Sequence, residues 1–170
     1  MCGLAGIAFP RGHAFDPADL TAMGDALRHR GPDDFGALGW NGSGQMRVTQ
    51  DISELMGRNF GMVHRRLSIL DLSEAGRQPM CSSDGRYAVV FNGEIYNYLE
   101  LRDELSALGH QFTTETDTEV LLAAYAAWGV EALSRFVGMF AFVILDSVEN
   151  RLFMARDPFG IKPLDRKSVV

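Results

Sequence analysis

Two apolar runs free of charge bracket a pair of helical patterns: Tyr87-Ala88-Val89-Val90-Phe91 before them and Met139-Phe140-Ala141-Phe142-Val143-Ile144-Leu145 after them. Both runs read as buried strands. Of the patterns between them, the first follows Asn97 as its cap and places Leu101, Leu105 and Leu108 at helical spacing before Gly109. The second opens on Thr116-Asp117-Thr118-Glu119, a capping-box signature, then carries Val120, Leu121, Ala124 and Trp128 to a stop at Gly129. Ala132 to Phe136 reads as a further short helix. Strands also lie on either side of this block. Leu4 to Phe9 is a first strand, Gln45 to Gln50 alternates like an exposed one, and Phe60 to Val63 runs into His64-Arg65-Arg66. Asp16-Pro17 predicts a helix start, with Leu20, Met23, Ala26 and Leu27 behind it and a stop near Arg30. Gly31-Pro32-Asp33-Asp34 reads as a turn, and Asn92-Gly93 as the end of the strand before it. Phe140 to Leu145 and Leu152 to Ala155 are expected to pair through a Ser147-Val148-Glu149-Asn150 hairpin, followed by a turn at Asp157-Pro158-Phe159-Gly160. Strands, a helix pair and strands again specify an α+β fold with antiparallel sheets covered by helices.

A chain of 170 residues supports one domain or slightly more, with a sizeable core. Its 46% hydrophobic and 22% charged residues are ordinary for a soluble globular protein. A net charge of -6 gives no electrostatic reason to bind nucleic acid or an anionic membrane. The run from Met139 to Leu145 is far short of the ~18 apolar residues of a membrane-spanning helix. The N-terminus carries no basic stretch ahead of apolar residues, so no secretory signal is expected. Two cysteines make no disulfide framework and fit a reducing cytoplasm. The four histidines show no zinc-like spacing with one another or with Cys81, and no metal site is expected.

The chain opens Met1-Cys2-Gly3. A cysteine so placed is either a small apolar residue or, once Met1 is removed, a nucleophile beside its own base. An α-amine titrates near ~7.7–8.0 and a free thiol near ~8.5, so the amine accepts the thiol proton around neutral pH. Gly3 then leaves room for a substrate. Asn92-Gly93 offers a side-chain amide and a backbone N–H to an oxyanion, or else an ordinary β-turn. Arg66 is a bidentate partner for a carboxylate, or a surface arginine. Asp117 serves a helix N-terminus or holds an ammonium group. Taken together, a thiol, a base, oxyanion donors, a cation and an anion suit an amino acid with a side-chain amide, glutamine or asparagine.

Seven segments, "MCGLAGI", "RHRGPDD", "HRRLSILDLSEAGRQPM", "FNGEIYNYLELRDEL", "TETDTEVLLAAY", "GMFAFVILD" and "ARDPFGIKPL", give the chain a resemblance. It resembles the glutaminase domain of class II glutamine amidotransferases, in particular that of glutamine-hydrolysing asparagine synthetases, from Met1 to about Leu164. The resemblance implies an N-terminal nucleophile fold, an αββα sandwich of two antiparallel sheets between helix layers. It implies Cys2 as nucleophile with its own amine as base, and Asn92 and Gly93 as the oxyanion pair. It further implies Arg66 on the glutamine carboxylate, Glu94 and Asp117 on its amine, and Leu67 and Ile69 lining the pocket with their backbone. Arg30 is expected to order the site. Glutamine is the implied substrate. No cofactor is expected in this domain; ATP and magnesium belong to a synthetase domain that would use the ammonia to amidate aspartate, and a homodimer is an admissible assembly.

Departures from the family pattern begin after Leu164. Asp165-Arg166-Lys167-Ser168-Val169-Val170 is not the expected continuation, and no Ser-Gly-Gly-x-Asp-Ser nucleotide loop is present in the sequence. The expected organisation is therefore an incomplete glutaminase domain over 1–164 lacking its C-terminal strands, an atypical tail over 165–170, and no synthetase domain. Two other readings stay open: a glutaminase serving a different acceptor, and a truncated remnant without catalysis.

Overall fold

A computed structural model describes residues 1–71 and 73–167. The tail expected at 165–170 falls partly on 168–170, outside the described residues. Strand β1 is Gly3–Ala8, α1 is Pro17–Ala26, β2 is Asp34–Trp40, β3 is Arg47–Thr49 and β4 is Phe60–Arg66. They are followed by β5, Met80–Cys81, β6, Tyr87–Ile95, α2, Tyr98–Ala107, and α3, Asp117–Trp128. The last two strands are β7, Gly138–Asp146, and β8, Arg151–Arg156. The described residues form two four-stranded sheets, ordered β1-β4-β2-β3 and β5-β6-β7-β8. Every pairing is antiparallel.

Three apolar clusters separate four layers. Phe15 and Leu20 around α1 pack on Ala37 and Val63 of the first sheet. Leu38, Trp40 and Met62 of that sheet meet Ala88, Val90 and Leu145 of the second. Val89, Phe91, Phe142 and Ile144 face Leu101, Leu105, Val120 and Leu121 of α2 and α3 on the far side. The period of two in β6 explains this: even-numbered residues from Ala88 face the other sheet and odd-numbered ones face the helices. Both faces of β6 and β7 are covered, which is why residues 87–91 and 139–145 are apolar without a break. No helix among the described residues is long and apolar enough to cross a membrane.

The structure differs from the sequence expectations at several points. Asn92-Gly93 does not end a strand. Asn92 pairs with Ala141 and Gly93 with Phe140, and β6 runs on to Ile95. The turn at Gly31 stops before Asp34, which begins the unexpected strand β2. Helix α1 ends at Ala26 rather than near Arg30, although Asp16 caps it by accepting from Ala18 N at 2.9 Å. Thr116 caps α3 by accepting from Glu119 N at 3.2 Å, but Glu119 does not reach back to Thr116. Its carboxylate accepts instead from Thr113 N and Thr114 N at 3.0 and 2.7 Å. Asn97 makes no cap hydrogen bond; its side chain bridges Arg135 O and Val137 N.

Candidate active site

The antiparallel registers set the N-terminus of β1 beside the C-terminus of β4: Gly3 lies opposite Arg65. Cys2 therefore meets the chain just past β4. Leu67 N–H points at Cys2 Sγ at 3.4 Å, and the thiol faces Leu67 O at 3.7 Å. Arg30 donates from Nε to Cys2 O at 3.1 Å and fixes the main chain of the nucleophile candidate. The turn carrying Arg30 comes this close because of Gly31. A Cβ there would meet Arg65 O at 2.3 Å and Arg66 N at 2.6 Å. Met1 is exposed and Cys2 half-buried.

Arg66 is buried, at 5% exposure, and closes off the segment that follows it. Its guanidinium donates to Ser73 O at 2.8 Å, to Leu70 O at 3.0 Å and to Asp71 O. Asp33, just before β2, and Asp34, its first residue, pin the same segment. Asp33 Oδ2 accepts from Ser68 N at 2.8 Å, and Asp34 takes Arg77 Nε at 2.9 Å. The Ile69 side chain stands in solvent.

The second sheet brings the remaining candidates. Phe140 N–H and C=O are both engaged by Asp157, at 3.2 and 2.7 Å, on the β8 side. The Gly93–Phe140 pair is therefore one whose hydrogen-bonding groups point away from each other. Gly93 N–H faces the outer edge of β6, where β5 pairs only with Val89 and Ala88. Its neighbours on that edge are satisfied by side chains: Phe91 N–H by Gln78 Oε1 at 2.6 Å, Ile95 N–H by Asp117 Oδ2 at 3.0 Å. Gly93 N–H lies between them with no protein partner among the described residues. Asn92, 5% exposed, projects toward the inter-sheet space with Ala88 and Val90. Gly93 thus presents a backbone donor on the edge, and the residue before it carries a side-chain amide on the inter-sheet face.

Asp117 is the first residue of α3 and buried. Burial raises its pKa to about 6; the Ile95 N–H bond pulls the other way and the nearby Glu94 charge raises it further. Glu94 and Asp117 thus form a close acidic pair that an ammonium group would relieve. The stability consequence has a definite sign. The folded pKa is above the unfolded value near 3.8, so the folded state holds its proton longer and stability falls as pH rises from about 4 to about 6. Asp117→Asn keeps an oxygen for Ile95 N–H and removes the buried charge. Urea denaturation should find it more stable than wild type by about 1–3 kcal/mol at pH 7. The two curves should converge at pH 3.5.

Gln78 and His64 were not singled out from sequence. Gln78 is buried and donates from Nε2 to Thr118 Oγ1 at 3.2 Å while accepting from Phe91. His64 is fully buried on β4, and burial lowers its pKa to about 4. Its Nε2 lies 2.9 Å from Phe91 O, which makes Nε2 the protonated nitrogen, since a carbonyl only accepts. Direct contact therefore unites Cys2, Arg30 and Leu67, while Glu94 and Asp117 share a second locus, and His64 joins the two sheets between them. Hollows of about 410 and 230 Å³ lie beside α1 and at the opposite end of β1, and none of these residues lines either one. Among the described residues, no three His, Cys, Asp or Glu are grouped to hold a metal ion.

Comparison with known proteins assigns the chain to a family. Residues 1–168 match the glutamine amidotransferase domain family. The chain is 44% identical over 167 residues to asparagine synthetase [glutamine-hydrolyzing] 1 of Bacillus subtilis, covering 96% of this chain and 24% of that protein. It is 35% identical over 165 residues to asparagine synthetase [glutamine-hydrolyzing] 1 of Saccharomyces cerevisiae, covering 96% and 25%. The chain thus spans about a quarter of these relatives. The solved structure of glutamine phosphoribosylpyrophosphate amidotransferase from Bacillus subtilis superposes with a TM-score of 0.75 at 24% identity, covering 94% of this chain and 38% of that one. That likeness is one of fold: two antiparallel sheets stacked between helix layers.

Proposed function

The chain belongs to the glutamine amidotransferase domain family, and on that premise we propose that it hydrolyses glutamine to glutamate and ammonia through a thioester on Cys2. The observation that carries this reading is the Gly93 N–H beside Asn92, without a protein partner among the described residues, on an edge where both neighbouring N–H groups are already occupied. Removal of Met1 gives Cys2 an α-amine that accepts the thiol proton. The thiolate attacks the carboxamide carbon, the oxyanion forms against Asn92 and Gly93, and the amine returns the proton to the departing ammonia. Water then cleaves the thioester to glutamate.

The same reading assigns the glutamine backbone. Arg66 has five N–H donors, and those not facing the loop carbonyls serve the α-carboxylate. Glu94 and Asp117 hold the α-amine, with the main chain of Leu67 and Ile69 along the pocket. The ammonia is destined for a synthetase segment that uses ATP and magnesium to amidate aspartate, in a cytoplasmic ligase of asparagine biosynthesis. The identities to two such synthetases support this assignment. On this reading residues 1–164 are an incomplete glutaminase unit.

A glutamate-release assay, with intact-mass measurement of the N-terminus, tests the proposal. Asn92→Ala should lower kcat by about 10²–10³ with little change in KM, because the amide acts only once the oxyanion develops. An Asn92→Ala enzyme with unchanged kcat would remove Asn92 from the oxyanion site.

A further inference from the structure

Past Val89, toward Ile95, the outer edge of β6 has no neighbouring strand among the described residues, and side chains take over the ladder. Phe91, the residue before Asn92, is gripped at both peptide groups. Gln78 Oε1 takes its N–H at 2.6 Å, and His64 Nε2–H donates to its C=O at 2.9 Å. These jaws come from different elements: His64 from β4 of the other sheet, Gln78 from the segment that leads into β5. The Gln78 amide also donates to Thr118 Oγ1, tying β6 to the first turn of α3, where Asp117 sits.

On the glutaminase reading above, we infer that Gln78 and His64 are positioning residues that hold Phe91 as a clamp and thereby aim the Asn92 amide and Gly93 N–H at the reacting carbonyl. Oxyanion donors accelerate a reaction only if they are oriented before charge develops. A glycine on an unpaired edge has the most backbone freedom to lose. Fixing Phe91 two residues upstream of Gly93, with Asp117 holding Ile95 two residues downstream, removes that freedom at both ends. His64 suits the task because burial keeps it neutral, so its single ring proton stays on Nε2. Its Nδ1 is buried without a partner among the described residues, so donation to Phe91 is the one hydrogen bond the ring makes there.

The test uses His64→Leu, His64→Gln and Gln78→Met in the whole chain. A glutamine amide nitrogen can occupy the place of imidazole Nε2, so His64→Gln keeps the donor; methionine fills the Gln78 site without an acceptor. Gln78→Met and His64→Leu should lose about 10–100-fold in kcat with KM for glutamine within about threefold, while His64→Gln stays within about threefold of wild type. Iodoacetamide alkylation of Cys2, which needs no oxyanion donors, should be equal in all. Amide exchange gives a readout without any substitution: Phe91 N–H should be strongly protected in wild type, and faster in Gln78→Met. Fast exchange at Phe91 in wild type, or normal kcat in folded His64→Leu and Gln78→Met, overturns the clamp. Equal damage in His64→Gln and His64→Leu does the same. A wild type that is alkylated normally yet releases no glutamate sinks the glutaminase reading, and with it the catalytic role of the clamp.

Discussion

Cys2→Ala is expected to end glutamate release from glutamine, with kcat down by on the order of 10⁴-fold or more and the fold intact. The two halves of that expectation rest on different contacts. On the proposed mechanism the thiol carries the γ-glutamyl intermediate, so its loss removes the covalent route altogether. Structurally it does little: among the described residues Sγ makes its hydrogen bonds with the main chain of Leu67 alone, at 3.4 and 3.7 Å, and Cys2 is half-buried. The bond that organises this end of the chain, Arg30 Nε to Cys2 O, is to the main chain and survives the change. Thermal unfolding of Cys2→Ala should therefore track wild type. A glutamine-like chloroketone should label wild type at one site and the variant at none. The α-amine carries the other half of the prediction. A variant in which Met1 is retained, confirmed by intact mass, should keep the thiol and lose the activity. Substantial glutamate release by either protein would end the N-terminal nucleophile scheme.

What was legible in the sequence, and what was not, divides by the range of the interactions. Elements whose residues carry their own period were readable: β6 and β7 from unbroken apolar runs, α3 from Thr116 and its apolar face. Strand β2 was not, because Gly36 and Gly39 interrupt it. Those glycines are there for steric reasons that only the fold reveals: a Cβ on Gly36 would lie 2.3 Å from Gln78 O, and one on Gly39 2.9 Å from Leu55. Asn92-Gly93 is a turn by local chemistry and a strand by long-range pairing, since partners 49 and 47 residues ahead, Ala141 and Phe140, hold it extended. The same distance hid Gln78 and His64. Their partners are backbone groups of Phe91, 13 and 27 residues away, and a backbone group leaves no mark in sequence. Cys2, Arg66 and Asp117 drew attention through their chemistry, yet the sequence could not show that Arg66 spends donors on Leu70, Asp71 and Ser73, or that Asp117 holds Ile95.

Gly93→Ala should damage stability and catalysis together, more severely than Asn92→Ala. A Cβ on Gly93 would stand 2.2 Å from Met139 O, 2.7 Å from Phe140 Cα and 2.7 Å from the Phe91 ring. Two of these are backbone atoms of the central strand β7, which cannot step aside without breaking pairing on both of its edges. The third is a core side chain packed against α3. Relief must come from β6 itself, by moving the peptide that bears the Gly93 N–H. Overpacking of this kind costs about 1–3 kcal/mol, and more where backbone must yield. The displaced N–H should remove at least the 10²–10³ in kcat that one oxyanion donor supplies. Gly24→Ala is the control: its Cβ would meet Phe35 Cε2 at 3.3 Å and Val63 Cγ2 at 3.9 Å, both side-chain atoms, and alanine within α1 gains helix propensity of about 0.5–1 kcal/mol. Urea denaturation and glutamate release should find Gly24→Ala near wild type in both. A Gly93→Ala chain with wild-type stability and kcat would mean that β6 and β7 are not in the register that places this N–H on the open edge.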